Sequence, residues 1–186
     1  SYLMPVFSFK ELLDYAGKLC LDPKIRLDER VYSSEMGHSA RNRAIAYLLQ
    51  SKGIIECDVE RSLELYIKMC SLSVTAKSLA GLGLVLANGG FHPKTGERLL
   101  DREVVRTVKT IMLTCGMYDG SGEFAVEVGI PSKSGVGGGI LSVVDRKMGI
   151  GIYGPSLDQK GNSAGGQAML RYVSEKLNLH MFAWED

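Results

Sequence analysis

Apolar positions change period near the middle of the chain, and that change predicts two kinds of structure. In the first half they recur every three or four residues. Ser8-Phe9-Lys10-Glu11 is a capping box, in which the Ser hydroxyl and Glu carboxylate satisfy each other's free backbone N–H groups. The helix it opens carries Leu12, Leu13, Ala16 and Leu19 on one face. A second helix is predicted from about Ser39 to Gln50, with Ala44, Ile45, Leu48 and Leu49 inward. Asp58 caps a third, continuing through Leu63, Ile67 and Cys70. Ser73 caps a fourth, Val74 to Ala87, which Asn88-Gly89-Gly90 stops. Only Lys77 is charged in that fourth helix, so it is expected to be buried nearly all round. A fifth runs from Asp101 to about Met112 with Val104, Val105 and Val108 among charges.

In the second half Phe124, Val126 and Val128 alternate with Ala125 and Glu127, which predicts a strand with one buried face. Ser134 to Val144 and Met148 to Tyr153 read as two further strands, joined by a turn at Asp145-Arg146-Lys147. Asn162 to Leu177 reads as a closing helix, with Ala168, Leu170, Tyr172, Val173 and Leu177 mostly apolar. Helices, then an antiparallel sheet, then a last helix make an α+β architecture.

Composition narrows the function. The 186 residues are 45% hydrophobic, enough for one ordinary core. Lys and Arg number 22 against 21 acidic residues, a net +1 that disfavours nucleic-acid and membrane-surface partners. No apolar run reaches the roughly 20 residues of a membrane span. Ser1 to Pro5 lacks a basic segment followed by an apolar stretch, so no signal peptide is expected there. Cys20, Cys57, Cys70 and Cys115 form no C-x-x-C pair and have no His at metal-ligand spacing, which points to a reducing, cytoplasmic setting without zinc.

Four places carry candidate chemistry. Lys133-Ser134-Gly135 opens a Gly-rich stretch, Val136-Gly137-Gly138-Gly139, that packing alone does not favour. A backbone N–H presented there can form half of an oxyanion hole, and a Gly-rich edge strand is the alternative. Tyr118, in the turn-forming Tyr118-Asp119-Gly120-Ser121-Gly122, offers a hydroxyl for a hydrogen bond or proton relay, or a ring for the core. Glu35 and Asn42, seven residues apart, share a face if one helix spans both, and can then hold an ammonium and a carboxylate; a solvated charge and a surface amide are the alternative. Tyr66 on the third helix reads as a core ring with a wet tip. His38, His92 and His180 are isolated. No serine is followed three residues on by lysine, so the Lys-Ser-Gly triplet has no Ser-x-x-Lys partner within the chain.

Taken in order, Val31-Tyr32-Ser33-Ser34-Glu35 with Arg41-Asn42, Leu86-Ala87-Asn88-Gly89-Gly90, Thr95-Gly96-Glu97, Cys115-Gly116-Met117-Tyr118-Asp119, Pro131-Ser132-Lys133-Ser134-Gly135-Val136, and Leu157-Asp158 with Gly161-Asn162-Ser163 resemble the serine-dependent, β-lactamase-like glutaminases from about Asp22 to the C-terminal helix. The resemblance implies a β-lactamase/penicillin-binding-protein-like fold and hydrolysis of L-glutamine to L-glutamate and ammonia. It also implies a γ-glutamyl ester on the serine of a Ser-x-x-Lys motif, with no cofactor. Glu35, Asn42, Tyr66 and Tyr118 match glutamine-binding positions, Tyr118 also the tyrosine beside the nucleophile. Val136 matches the residue whose backbone N–H holds the oxyanion, and Lys133 the triplet lysine, with no proton-transfer step assigned to it. Tyr153-Gly154-Pro155-Ser156 departs from the family's usual stretch. Residues 1–186 are accordingly expected to be the C-terminal portion of a single domain whose Ser-x-x-Lys segment lies upstream, inactive alone and homo-oligomeric, as dimer or tetramer. A penicillin-recognising serine hydrolase and a non-catalytic amino-acid-binding domain are the rival readings.

Overall fold

A computed structural model describes residues 7–184, which fall into two compact units. Unit 1 comprises residues up to 18 and 23–74; unit 2 comprises 19–22 and everything from 75 onward.

In unit 1 the capping box forms as expected at the start of α1 (Phe9–Leu19): the Ser8 amide donates to Glu11 Oε2 at 2.8 Å and the Glu11 amide to Ser8 Oγ at 3.3 Å. Two-residue strands β1 (Arg26–Leu27) and β2 (Leu72–Ser73) pair antiparallel. Between them lie α2 (Glu29–Gly37), α3 (Ala40–Ser51) and α4 (Val59–Cys70). The predictions passed over α2, whose segment is polar and has no apolar stripe. Its start is fixed by Asp28, whose carboxylate accepts from the amides of Arg30 at 3.0 Å and Val31 at 3.1 Å. Asp58 caps α4 as expected, accepting from the Arg61 amide at 2.7 Å, and Val59, Leu63 and Ile67 make a buried i, i+4, i+8 stripe.

The inward face expected for α3 is corrected. Ala44, Ile45 and Leu48 are exposed, and Ala46 is the one buried residue of the helix. The half-buried Asn42, Arg43 and Leu49 share its side, so the packed face is rotated by about one residue from the most apolar one. Polar bonds hold that face: Arg43 Nε donates to Glu60 Oε1 at 2.9 Å and Nη1 to Ser39 Oγ at 3.0 Å, while the Tyr47 hydroxyl donates to Glu60 at 3.3 Å.

Unit 2 is layered. Its sheet, in order β3 (Ser132–Ser134), β4 (Gly139–Val144), β5 (Met148–Tyr153), is antiparallel throughout. Leu141 and Val143 of the central strand face a cluster with Leu86, Val105 and Met112. Ile140 and Val144 face the opposite cluster, with Phe124, Val128, Ile152 and Leu170. The first cluster includes residues of α5 (Ala76–Ala87) and α6 (Arg102–Cys115); the second, residues of α7 (Ser121–Glu127) and α8 (Ala164–Lys176). Buried on both sides, β4 places Ser142 Oγ against Ser132 Oγ at 2.7 Å, so its polar atom stays satisfied.

Helix α5 lies backbone-to-backbone on the sheet. A Cβ at Gly149 would meet the Leu84 amide nitrogen at 2.2 Å, and one at Gly151 the Ala76 carbonyl oxygen at 1.9 Å. As expected, Lys77 alone of this helix is exposed. Its cap is Thr75, not Ser73. The extended Thr75 accepts from the Ser78 amide at 3.1 Å, and Ser78 Oγ bonds Asp22 at 2.6 Å, while Ser73 belongs to β2. Cys20, beside Asp22, is buried, and burial pushes its thiol up to about 11.

Two further expectations are overturned. Phe124, Val126 and Val128 form no strand: residues 121–127 are α7. Phe124 and Val128, one helical turn apart, are buried while Val126 is 79% exposed. Ser121, the first residue of this helix, accepts from the Met117 amide at 3.0 Å and donates to the Tyr118 carbonyl at 2.8 Å, which holds the preceding turn. Ser134 to Val144 is likewise not one strand but the end of β3, a glycine loop and β4; Gly138, at φ 91°, turns the chain where a Cβ would lie 2.6 Å from the Gly154 carbonyl oxygen. The turn at 145–147, β5 and the closing helix, capped by Ser163, fall where predicted.

Candidate functional site

Within unit 2 three segments converge around Tyr118. The first is the turn that carries it. Tyr118 begins a 3-10 turn (Tyr118–Gly120) at φ 51°, a left-handed conformation uncommon for a residue with a Cβ. Three contacts hold it there. The Gly116 carbonyl accepts from the Ser134 amide at 2.9 Å, Asn162 Nδ2 donates to the Met117 carbonyl at 3.0 Å, and Ser121 bridges both sides of the turn. Gly116 has to be glycine, since a Cβ would sit 1.9 Å from the Ser132 carbonyl oxygen.

The second segment is the end of β3 with its loop. Lys133 places Nζ 4.9 Å from the centroid of the Tyr118 ring and also donates to the Ser134 carbonyl. Val136, at the loop tip, is 67% exposed. The third segment is the loop before α8. A Cβ at Gly161, φ 88°, would lie 3.7 Å from Cε2 of Tyr118 and 3.8 Å from Cγ1 of Val136. Tyr118, Lys133, Val136 and Gly161 therefore meet, with the Tyr118 side chain open to solvent on one side.

Asp158 organises that third loop. Its Oδ1 accepts from the amides of Lys160 and Asn162, both at 2.9 Å, and its Oδ2 from Gln167 Nε2 at 2.8 Å. The Gln167 bond, followed by those backbone amides, holds its carboxyl below the usual carboxylate range. Lys160 pairs with Glu123 at 2.7 Å and lowers that carboxyl too. Two buried atoms, Ser134 Oγ and Asn162 Oδ1, have no hydrogen-bond partner among the described residues.

The remaining candidates lie in unit 1, on three different helices. Glu35 is exposed on α2, Asn42 is half-buried on α3, and Tyr66 is 48% exposed on α4. Glu35 and Asn42 do not share one helix, as their spacing allowed. The chain breaks at His38, whose amide closes α2 onto the Ser34 and Glu35 carbonyls, and at the buried Ser39. Reading side chains for chemistry missed Gly116, Ser121, Asp158 and Asn162. Gly116, Asp158 and Asn162 stand in the blocks that carry the family resemblance, and Asp158 three residues before a glycine has the spacing of a side chain capping its own turn. Among the described residues no three His, Cys, Asp or Glu side chains are grouped as a metal site, and no helix is long and apolar enough to cross a membrane.

Comparison with known proteins gives a consistent answer. The family model described as Glutaminase matches residues 4–182. Glutaminase 2 of Clostridium perfringens is 53% identical over 174 residues, covering 94% of this chain and 57% of the relative. The glutaminase of Clostridium tetani is 51% identical over 173 residues, covering 93% and 56%. The chain thus spans a little over half the length of these relatives. A Bacillus subtilis glutaminase in covalent complex with 5-oxo-L-norleucine, formed by reaction with 6-diazo-5-oxo-L-norleucine, superimposes with a TM-score of 0.90 at 38% identity, covering 97% of this chain and 65% of that one. A crystal structure of a Bacillus glutaminase in the presence of 4.3 M NaCl gives 0.88 at 39%, covering 97% and 63%.

Proposed function

Because the chain belongs to the glutaminase family, we propose that it forms the C-terminal portion of an enzyme that hydrolyses L-glutamine to L-glutamate and ammonia. The observation that carries this reading is the meeting of Tyr118, Lys133 and Val136 around one solvent-open point. An amidase needs a nucleophile, a proton donor for the departing nitrogen and donors for the oxyanion. In this reading a serine from a Ser-x-x-Lys segment outside residues 1–186 attacks the γ-carbonyl. Its oxygen bonds to the carbonyl carbon and the C–N bond breaks. Nitrogen leaves as ammonia with a proton relayed through the Tyr118 hydroxyl, and water then cleaves the ester to glutamate. The Val136 amide holds the oxyanion, and Lys133, over the Tyr118 ring, steadies that ring. Glu35 takes the substrate ammonium, and Asn42 and Tyr66 complete recognition of the amino-acid end.

Several observations support this assignment. The Bacillus subtilis relative reacts covalently with a diazo-ketone amino acid, which is the behaviour of an enzyme with a nucleophile aimed at the γ-position of a glutamine mimic. No disulfide joins the four cysteines among the described residues, in keeping with a cytoplasmic protein, and the whole enzyme is read as a homo-oligomer. The test is ammonia release from L-glutamine by the longest natural chain carrying Tyr118→Phe. The expected result is a kcat lowered about 10²–10⁴-fold with a smaller change in KM. Kinetics near wild type would return Tyr118 to a packing role.

A further inference from the structure

At the far end of the same sheet lies a cavity of about 990 Å³, built wholly from unit 2. Strand β4 runs from the glycine loop beside Val136 to the cavity's wall at Val144, about 17 Å along six extended residues. The cavity is therefore separate from the Tyr118 site.

Its lining divides by chemistry. Val105, Leu113, Ile130 and Leu179 make an apolar floor. The rim carries Arg102, Arg106 and Lys109 from α6 and Arg146 and Lys147 from the β4–β5 turn, and Asp145 is the one carboxylate among the lining residues. Five of the chain's 22 cationic side chains thus meet one of its 21 carboxylates. Asp145 is already engaged: Lys109 Nζ reaches it at 2.7 Å and ties the turn to α6. Arg102, Arg106, Arg146 and Lys147 have no ion-pair partner among the described residues.

Local structure does not account for these charges. Arg102 occupies the first turn of α6, where the helix dipole disfavours a cation, and Arg106 the second turn on the same side. Four like charges around one cavity repel one another, and a bound polyanion removes that repulsion. Guanidinium forks suit phosphate or carboxylate oxygens in pairs. The volume lies at the upper end of the range for organic ligands, roughly 300–1,000 Å³.

We propose that this cleft binds an organic polyanion of the nucleoside-triphosphate type, with the phosphate chain on the arginine rim and the apolar body on the Val105–Ile130 floor. Binding to this cleft can be read without any glutaminase activity. The experiment is calorimetric titration of the protein with ATP, tripolyphosphate and adenosine, each without divalent cations. ATP is expected to bind one per chain and to weaken as NaCl screens the rim. Tripolyphosphate and adenosine, each lacking half of the ligand, are expected to bind at least about tenfold more weakly. The Arg102→Gln, Arg106→Gln double variant, at two exposed helix positions, is expected to lower ATP affinity by at least about tenfold, and the exposed control Lys94→Gln to leave it unchanged. Absence of ATP binding overturns the proposal. So does equal binding of tripolyphosphate and ATP, and so does ATP affinity retained in the double variant.

Discussion

Two helix contacts within this chain are built on opposite principles. In unit 2, α5 meets β5 through glycine, with Gly149 and Gly151 bringing backbone against backbone. In unit 1, α3 buries one alanine and meets α4 through the Arg43–Glu60–Tyr47 network at its solvent-facing edge. The first contact has no slack, and any added atom must displace main chain. The second is made by long solvated side chains that can re-form elsewhere. The difference teaches where the fold spends its rigidity: on the layer that carries β3 and its loop, not on the helices that carry Glu35 and Asn42.

The largest effect should come from Gly151→Val. Its Cβ would stand 1.9 Å from the Ala76 carbonyl oxygen, and overpacking against backbone costs more than the ~1–3 kcal/mol seen when flexible side chains can yield. Little or no folded protein is expected by circular dichroism and urea titration; a near-native midpoint would mean α5 can lift from β5. Gly116→Ala should follow, with its Cβ 1.9 Å from the Ser132 carbonyl oxygen. Relief there can come from the Tyr118 turn, so a loss of roughly 2 kcal/mol together with collapse of activity in the full enzyme is the expected pair. Unchanged activity would uncouple that turn from the site.

Asp158 sharpens the comparison through pH. Its folded carboxyl is held below the usual range, so as pH falls the unfolded chain takes up the proton first. Its contribution is complete above the ordinary Asp value of about 3.9 and is lost as pH drops through the lower folded value. Denaturant midpoints measured against pH should therefore fall in that acid window for the wild type, and Asp158→Asn should flatten that part of the curve. An identical slope in both proteins would remove Asp158 from the account. The smallest effect is expected for Arg43→Gln in unit 1. Its partner Glu60 is 47% exposed, so solvent screens the pair, and the melting temperature should barely move. A large drop would show that the α3–α4 contact is as intolerant as the one in unit 2.

The sequence made part of this legible. Capping at Ser8 and Asp58, the buried α5, the 145–147 turn and the closing helix all rest on local chemistry, which the chain states directly. In α7, Phe124, Val126 and Val128 fit a strand on paper, but Phe124 and Val128 also lie one helical turn apart, and that is the pair the fold buries. The inward face of α3 was misplaced because periodicity identifies an apolar stripe without saying which partner it meets. At the site, Tyr118, Lys133 and Val136 were visible as side chains with chemistry. Asp158, Asn162 and Gly116 were not, because each matters only through an atom distant in sequence, such as the Met117 carbonyl that Asn162 holds.

The glycines of β5 have one further consequence, for how the molecule assembles. Side chains alternate along β5, so Gly149 and Gly151 face α5 while Ile150 and Ile152 pack with the opposite cluster. A slip of one residue in pairing β5 with β4 would turn an isoleucine toward α5, where there is no room even for a methyl group. A misregistered hairpin is thus refused docking and must reopen and pair again. The close approach of α5 is compatible with a single register of the hairpin that ends beside the arginine-lined cleft.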